Sequence, residues 1–143
     1  MIKYDFENSI AYSIGLTASL LEISIKNVLA SSGITLRQVQ VLTCMALEGE
    51  MTQIELAAML RIEPPTLVRI LDRMERDSWI ERYPSTKDRR KKIIRTTEKV
   101  NSHWKQIVKQ GESIQKKAMK GLSKAQIESL SETLVIMRKN LEA

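Results

Sequence analysis

The stretch YPSTKDRRKKIIR, residues 83–95, holds six basic side chains and one acidic one. It opens on a Pro-Ser-Thr turn signal and closes on a short apolar run. "WIERY", 79–83, and "KIIRT", 92–96, flank the charge and read as two strands of a hairpin. So much positive charge on one loop raises the question of what the loop faces, and why Asp88 stands in its middle.

The residues just upstream supply a context. "PPTLVRILDRMERD", 64–77, puts Leu67, Ile70, Leu71 and Met74 on one helical face. Thr66, Arg69, Arg73 and Arg76 lie opposite, again at steps of three and four. Proline suits a first turn, where its missing N–H costs nothing. A helix is therefore expected from Pro64 to about Ser78. Before it, "TQIE", Thr52–Glu55, is a capping box that opens a short helix ending near Leu60. Two helices joined by about four residues outline a helix-turn-helix.

Such a helix fits a DNA major groove, and only residues near its start reach base edges deeply. Arginine can donate two parallel bonds to guanine O6 and N7, and a helix N-terminus favours a phosphate. The competing reading is a solvated amphipathic helix whose arginines pair with Asp72 and Glu75. The hairpin directly after the second helix decides for a winged helix. Its loop reaches a flanking minor groove, where negative potential attracts arginine. Asp88 then reads as the carboxylate that holds Arg90 or its neighbour in one rotamer; the plainer reading is a turn residue.

Outward from this core the chain is helical. Ile10, Ile14, Ala18, Leu21, Ile25 and Val28 make one face, and Gly33 suits a helix end. "TLRQ", Thr35–Gln38, is another capping box; it opens a helix through Val39, Leu42 and Ala46 that "EGE", 48–50, breaks. Val100, Trp104, Ile107, Gly111, Ile114 and Ala118 share a face. A third capping box, Ser123–Gln126, precedes a heptad-like stripe of Ile127, Leu130, Leu134, Met137 and Leu141. The expected fold is mainly α with a small β-hairpin wing. It divides into an N-terminal dimerisation helix (1–34), a winged helix-turn-helix (35–97) and C-terminal dimerisation helices (98–143). The first and last stripes need a partner, and a second copy of the chain is the better fit.

Composition agrees with this reading. The net charge is +6 and the pI near 9.5, which favours an anionic partner. Between Glu81 and Lys99 eight basic residues face three acids, Glu81, Asp88 and Glu98, so 8 − 3 gives that segment +5 of the total. Cys44 is the one cysteine, so no internal disulfide can form and a reduced, cytosolic setting is the default. The longest uncharged apolar stretch, Asn8–Leu21, is short for a membrane span, and its acidic flanks Glu7 and Glu22 do not suit a signal peptide. No HExxH, CxxC or GxSxG occurs, so no enzyme or metal site is expected. Cys44, in the apolar "VLTCMAL", reads as a buried structural thiol rather than a redox sensor. His103 reads as a surface residue rather than a pocket lining. Met45, Met51, Met59 and Met74 fit core packing as well as an adaptable crevice.

Taken together, "TQIELAAMLRIEPPTLVRILDRMERDSWIERYPSTKDRRKKIIRTT", 52–97, resembles the DNA-binding core of the MarR family of bacterial transcription regulators, most of all its SlyA-type branch. The similarity covers residues 35–99 well; the flanking helices match in order and length. The resemblance implies a homodimer on double-stranded DNA with intertwined terminal helices, and a pseudo-palindromic operator. It implies Pro65, Thr66 and Arg69 at the major groove, Arg90 in the minor groove steadied by Asp88, and Thr52 and Gln53 near phosphates. Charge and facing add Arg73 and Lys87. It also implies, without identifying one, a small aromatic acid effector between the dimer and DNA lobes. Ser78 stands where the family has glycine, and Thr96 where it has leucine, so an altered turn before the wing is expected; Trp79 should pack under the wing. The alternative function is a protein-interaction adaptor whose wing meets an acidic surface.

Overall fold

The computed structural model describes residues 5–143. Its elements are α1 (Ile10–Leu29), α2 (Leu36–Glu48), β1 (Met51–Thr52), α3 (Gln53–Leu60), α4 (Pro64–Arg76), β2 (Ile80–Pro84), β3 (Lys92–Thr96), α5 (Glu98–Ala118) and α6 (Lys124–Glu142). All three capping boxes form. The side chains of Thr35, Thr52 and Ser123 accept from the third helical N–H, and Gln38, Glu55 and Gln126 accept from the cap N–H in return. Each box satisfies two donors that a bare helix end would leave open.

The hairpin is part of a three-stranded antiparallel sheet, order β1-β3-β2. Met51 faces Ile94 across β1 and β3, and Arg82 faces Ile94 across β2 and β3. β1 was not expected: two residues are too few to show a strand period. It forms because the chain leaving α2 through Gly49, at φ +80, runs past the edge of β3.

Helix α4 stops at Arg76, short of the expected Ser78. The Ser78 N–H donates to Glu75 O at 3.0 Å and the Trp79 N–H to Met74 O at 2.8 Å. That is a Schellman closure, which needs a left-handed residue, and Ser78 supplies it at φ +60. The turn is therefore the one glycine would make, with serine accepting the strain. The same closure ends α3, where Arg61 sits at φ 53 and Ile62 N–H reaches Ala57 O at 3.1 Å.

Leu42, Leu56, Leu67, Leu71, Met74, Ile80 and Ile94 are fully buried where α2, α3, α4 and the sheet meet. Trp79 is buried with them at the foot of the wing, as expected. Ala46 is exposed instead; α2 turns Gln38, Val41, Leu42, Cys44 and Met45 inward. Of the four methionines, Met45, Met51 and Met74 are core and Met59 is exposed. The outer helices are different. Among described residues α1 buries only Leu29 and α6 buries none. Ile10, Leu16, Leu20, Ile23, Leu130, Ile136 and Leu141 stand exposed.

Candidate nucleic-acid interface

The wing loop is folded by its own polar side chains. Ser85 is buried, and its Oγ accepts from the N–H groups of Lys87 at 3.2 Å and Asp88 at 3.4 Å. The Ser85 N–H donates to Lys91 O at 2.8 Å, and the Lys91 N–H to Asp88 O at 2.9 Å. Asp88 Oδ1 accepts the Arg90 N–H at 3.0 Å and Arg90 Nε at 3.3 Å. The two readings of Asp88 thus hold together. It closes the turn, and it holds the guanidinium of Arg90, whose side chain is 91% exposed. One carboxylate oxygen serves both donors, so the pair is not bidentate.

On α4, Pro65, Thr66, Arg69 and Arg73 are all exposed. The pairing of these arginines with Asp72 and Glu75 that the competing reading required does not occur. Among described residues the Arg69 and Arg73 side chains make no hydrogen bond or close ion pair; Arg73 only adds to the field that lowers the Asp77 carboxyl. Arg76 alone is engaged, through two bonds to Asp77 at 2.9 and 3.3 Å. Asp72 and Glu75 pair instead with Arg82 of β2. Arg82 Nη2 lies 2.5 Å from Asp72 Oδ1, and its Nε lies 3.4 Å from Glu75 Oε2, within charge attraction but off the hydrogen-bond line.

The expected phosphate seat at the start of α4 is not there. Pro64 and Pro65 carry no N–H, and the Thr66 and Leu67 N–H groups already bond Glu63 O at 2.9 and 3.1 Å. The prolines that start the helix remove the donors an anion would use.

A cleft of about 350 Å³ runs between the helix pair and the wing, lined by Thr52, Gln53, Val68, Arg82, Arg90 and Lys91 among others. It brings Thr52, Gln53 and Arg90 together. Pro65, Thr66, Arg69 and Arg73 stay on the outer face of α4, and Lys87 on the exposed loop. Lys91 and Lys92 also line the cleft. Sequence reading counted their charge but did not single them out, since a run of lysines does not say which face each takes. Glu55 keeps its carboxyl below the usual range, first through the Thr52 N–H, with Lys91 adding attraction.

Three of the eight basic residues turn out to brace the wing. Besides Arg82, Arg95 donates to Glu50 at 2.5 Å and stacks 5.1 Å over the Tyr83 ring. Lys99 donates to Asp77 O at 2.7 Å and lies 4.3 Å over Trp79. That leaves Lys87, Arg89, Arg90, Lys91 and Lys92 exposed around the loop. Elsewhere, Cys44 is buried and burial pushes its thiol pKa up. His103 packs edge-on against Trp79 and, with Ser31, Ser32, Gln106 and Ile107, lines a cavity of about 210 Å³. Among described residues no three His, Cys, Asp or Glu gather as metal ligands, and no helix is long and apolar enough to cross a membrane.

Comparison with known proteins agrees with this architecture. Residues 34–92 match the family model described as "MarR family". A curated relative is the uncharacterised HTH-type transcriptional regulator YwoH of Bacillus subtilis strain 168. It is 29% identical over 96 residues, which span 67% of this chain and 69% of YwoH. Among solved structures, the transcriptional regulator SlyA superposes with a TM-score of 0.85 at 26% identity, over 94% of each chain. A cysteine-to-serine mutant of E. coli MarR complexed with operator DNA superposes at 0.82 with 22% identity, over 90% of this chain and 92% of that one. The mostly helical fold with its small antiparallel sheet is that of the MarR and SlyA winged-helix structures. In the helix pair, the wing and the match over residues 34–92, the chain is similar to the MarR family, on a winged-helix fold it shares with SlyA.

Proposed function

We propose that this chain is a MarR-family transcription regulator that binds double-stranded DNA as a cytoplasmic homodimer and reads a pseudo-palindromic operator. Helix α4 enters the major groove with Pro65, Thr66 and Arg69 foremost and Arg73 behind. The wing offers Arg90 to the minor groove, with Asp88 orienting it and Lys87 beside it; Thr52 and Gln53 meet phosphates. The observation that carries this reading is that α4 and the wing carry two kinds of exposed arginine. Arg69 and Arg73 have no side-chain partner among described residues, while Arg90 is exposed and held in place. The bare apolar faces of α1 and α6 support a second copy, with residues 1–34 and 98–143 as the dimerisation segments. The likeness to E. coli MarR, whose operator complex shares this fold, favours DNA over an adaptor role. The SlyA likeness at 26% identity supports the SlyA-type branch. A small aromatic acid is the effector class in keeping with the family, and the cavity beside Trp79 and His103 is where it would seat.

Selection from random duplex DNA at moderate salt tests the reading. An enriched inverted repeat, with half-sites about one helical turn apart, is the expected result. Absence of enrichment by a folded dimer would favour the adaptor. Arg69→Ala should cost roughly 1–3 kcal/mol on the selected site and relax its sequence. Arg90→Ala should weaken binding across many sequences.

A further inference from the structure

Arg82 belongs to the charged segment in sequence yet lies outside the exposed patch in space. Its side chain is only 10% exposed. It leaves the middle of β2 and meets two carboxylates of α4, Asp72 and Glu75, three residues apart on one face of that helix. Both acids are about half exposed, so water solvates their outer sides while Arg82 takes the inner ones. Arg82 also lines the cleft that separates the helix pair from the wing, together with Gln53, Val68 and Arg90. No other ion pair between side chains joins α4 to the wing strands among the described residues.

We propose that Arg82 is a positioning residue that sets the angle between the major-groove helix and the wing. It acts by anchoring β2 to α4 through Asp72 and Glu75, and it does not touch DNA itself. This inference rests on the reading of α4 and the wing as two DNA-contacting elements. The physical reason is geometric. Two contacts made in adjacent grooves add their free energies only if the protein presents both at the right separation at once; otherwise the second contact costs ordering. An arginine shared by two carboxylates one helical turn apart resists sliding and rotation in a way that a single pair does not. The pair of acids has a second effect. Left unpaired, they would set two negative charges beside a phosphate backbone; the arginine offsets one of the two locally.

The decisive variant is Asp72→Asn with Glu75→Gln. It preserves shape and raises the net charge by two. Electrostatics alone says that it should bind all DNA more tightly, because phosphate attraction dominates non-specific affinity. The positioning role says the reverse for the selected operator. Expected is an approximately tenfold weaker Kd for the operator, equivalent to about 1.4 kcal/mol, with equal or tighter binding to random duplex. Arg82→Met, which keeps the aliphatic stem, should show the same loss of preference. Thermal melts of both variants should stay cooperative.

A second readout does not need DNA. Spin labels on Lys87→Cys and Arg69→Cys, diluted with unlabelled chain, should give a narrow distance distribution in the parent and a broad one with either variant; buried Cys44 stays unlabelled. An operator affinity that holds or rises together with random-DNA affinity, or an unchanged distance distribution, would overturn the proposal. If the parent shows no operator preference while the distances still broaden, the DNA reading falls and the anchoring role of Arg82 stands.

Discussion

Ser78 and Arg61 are the two non-glycine residues at positive φ among the described residues, and they end α4 and α3 respectively. A left-handed side-chain-bearing residue costs roughly 1–2 kcal/mol relative to its usual region. Ser78→Gly removes that strain but loosens the unfolded chain. The net expectation is a gain of about 0.5 kcal/mol and a melting temperature higher by a degree or more. A lower melting temperature would mean that the Ser78 side chain contributes something its geometry does not reveal. Asp88 leads to a less obvious result. Asp88→Ala removes a negative charge from a basic loop, yet it should weaken operator binding severalfold in titrations at fixed salt. The turn loses the bonds at 3.0 and 3.3 Å that hold Arg90. Tighter binding by this variant would show that Asp88 acts only as a charge. Cys44 is the quiet case. With its thiol buried and its pKa raised, it should react slowly with a thiol reagent at neutral pH in the native protein and rapidly after unfolding.

The elements are held to one another at their ends, where the sequence is most specific. Thr52 closes β1, caps α3 and lines the basic cleft. Thr52→Ala should cost about 1 kcal/mol of stability through the lost cap, read from a denaturation midpoint at unchanged slope. No change in midpoint would mean that Glu55 alone keeps the helix start in place. At the other end of the wing, Thr97 precedes α5 but does not cap it. Its Oγ donates to Ser78 O at 2.6 Å, so it ties the helix to the turn after α4. This is a capping residue by position and a fastener by contact. The neighbouring turn decides that contact.

At the scale of the molecule, the core is confined to the middle, and the long helices carry exposed apolar rows. Leu16 and Leu20 lie four residues apart on α1, at 50% and 58% exposure. Leu16→Asp with Leu20→Asp should convert a dimer to a species of one 16.4 kDa chain in light scattering. An unchanged mass would place the dimer contacts elsewhere. Charge is also spread differently from the count along the chain. Exposed lysines Lys116, Lys117, Lys120 and Lys124 gather near the junction of α5 and α6, well along the chain from the wing. Removing them should alter the salt slope of DNA binding less than removing Lys87, Arg89 and Lys91, if phosphates meet only the wing side.

Sequence by itself determined the helices, three of their caps and the hairpin, because these depend on local chemistry. A hydroxyl three residues before Gln or Glu, a proline at a helix start, and steps of three and four between apolar residues are legible without neighbours. The loop charge was legible for the same reason, since charge adds along the chain. Tertiary structure decided what each charged side chain does. Arg82, Arg95 and Lys99 look like Arg90 in the sequence, but the sheet turns Arg82 to α4 and Arg95 to Glu50, and α5 turns Lys99 to Trp79. It also decided that β1 exists and that the prolines of α4 leave no anion seat. Whether a cation is spent on a carboxylate or left for a partner depends on distances between elements, and those are fixed only when the elements pack.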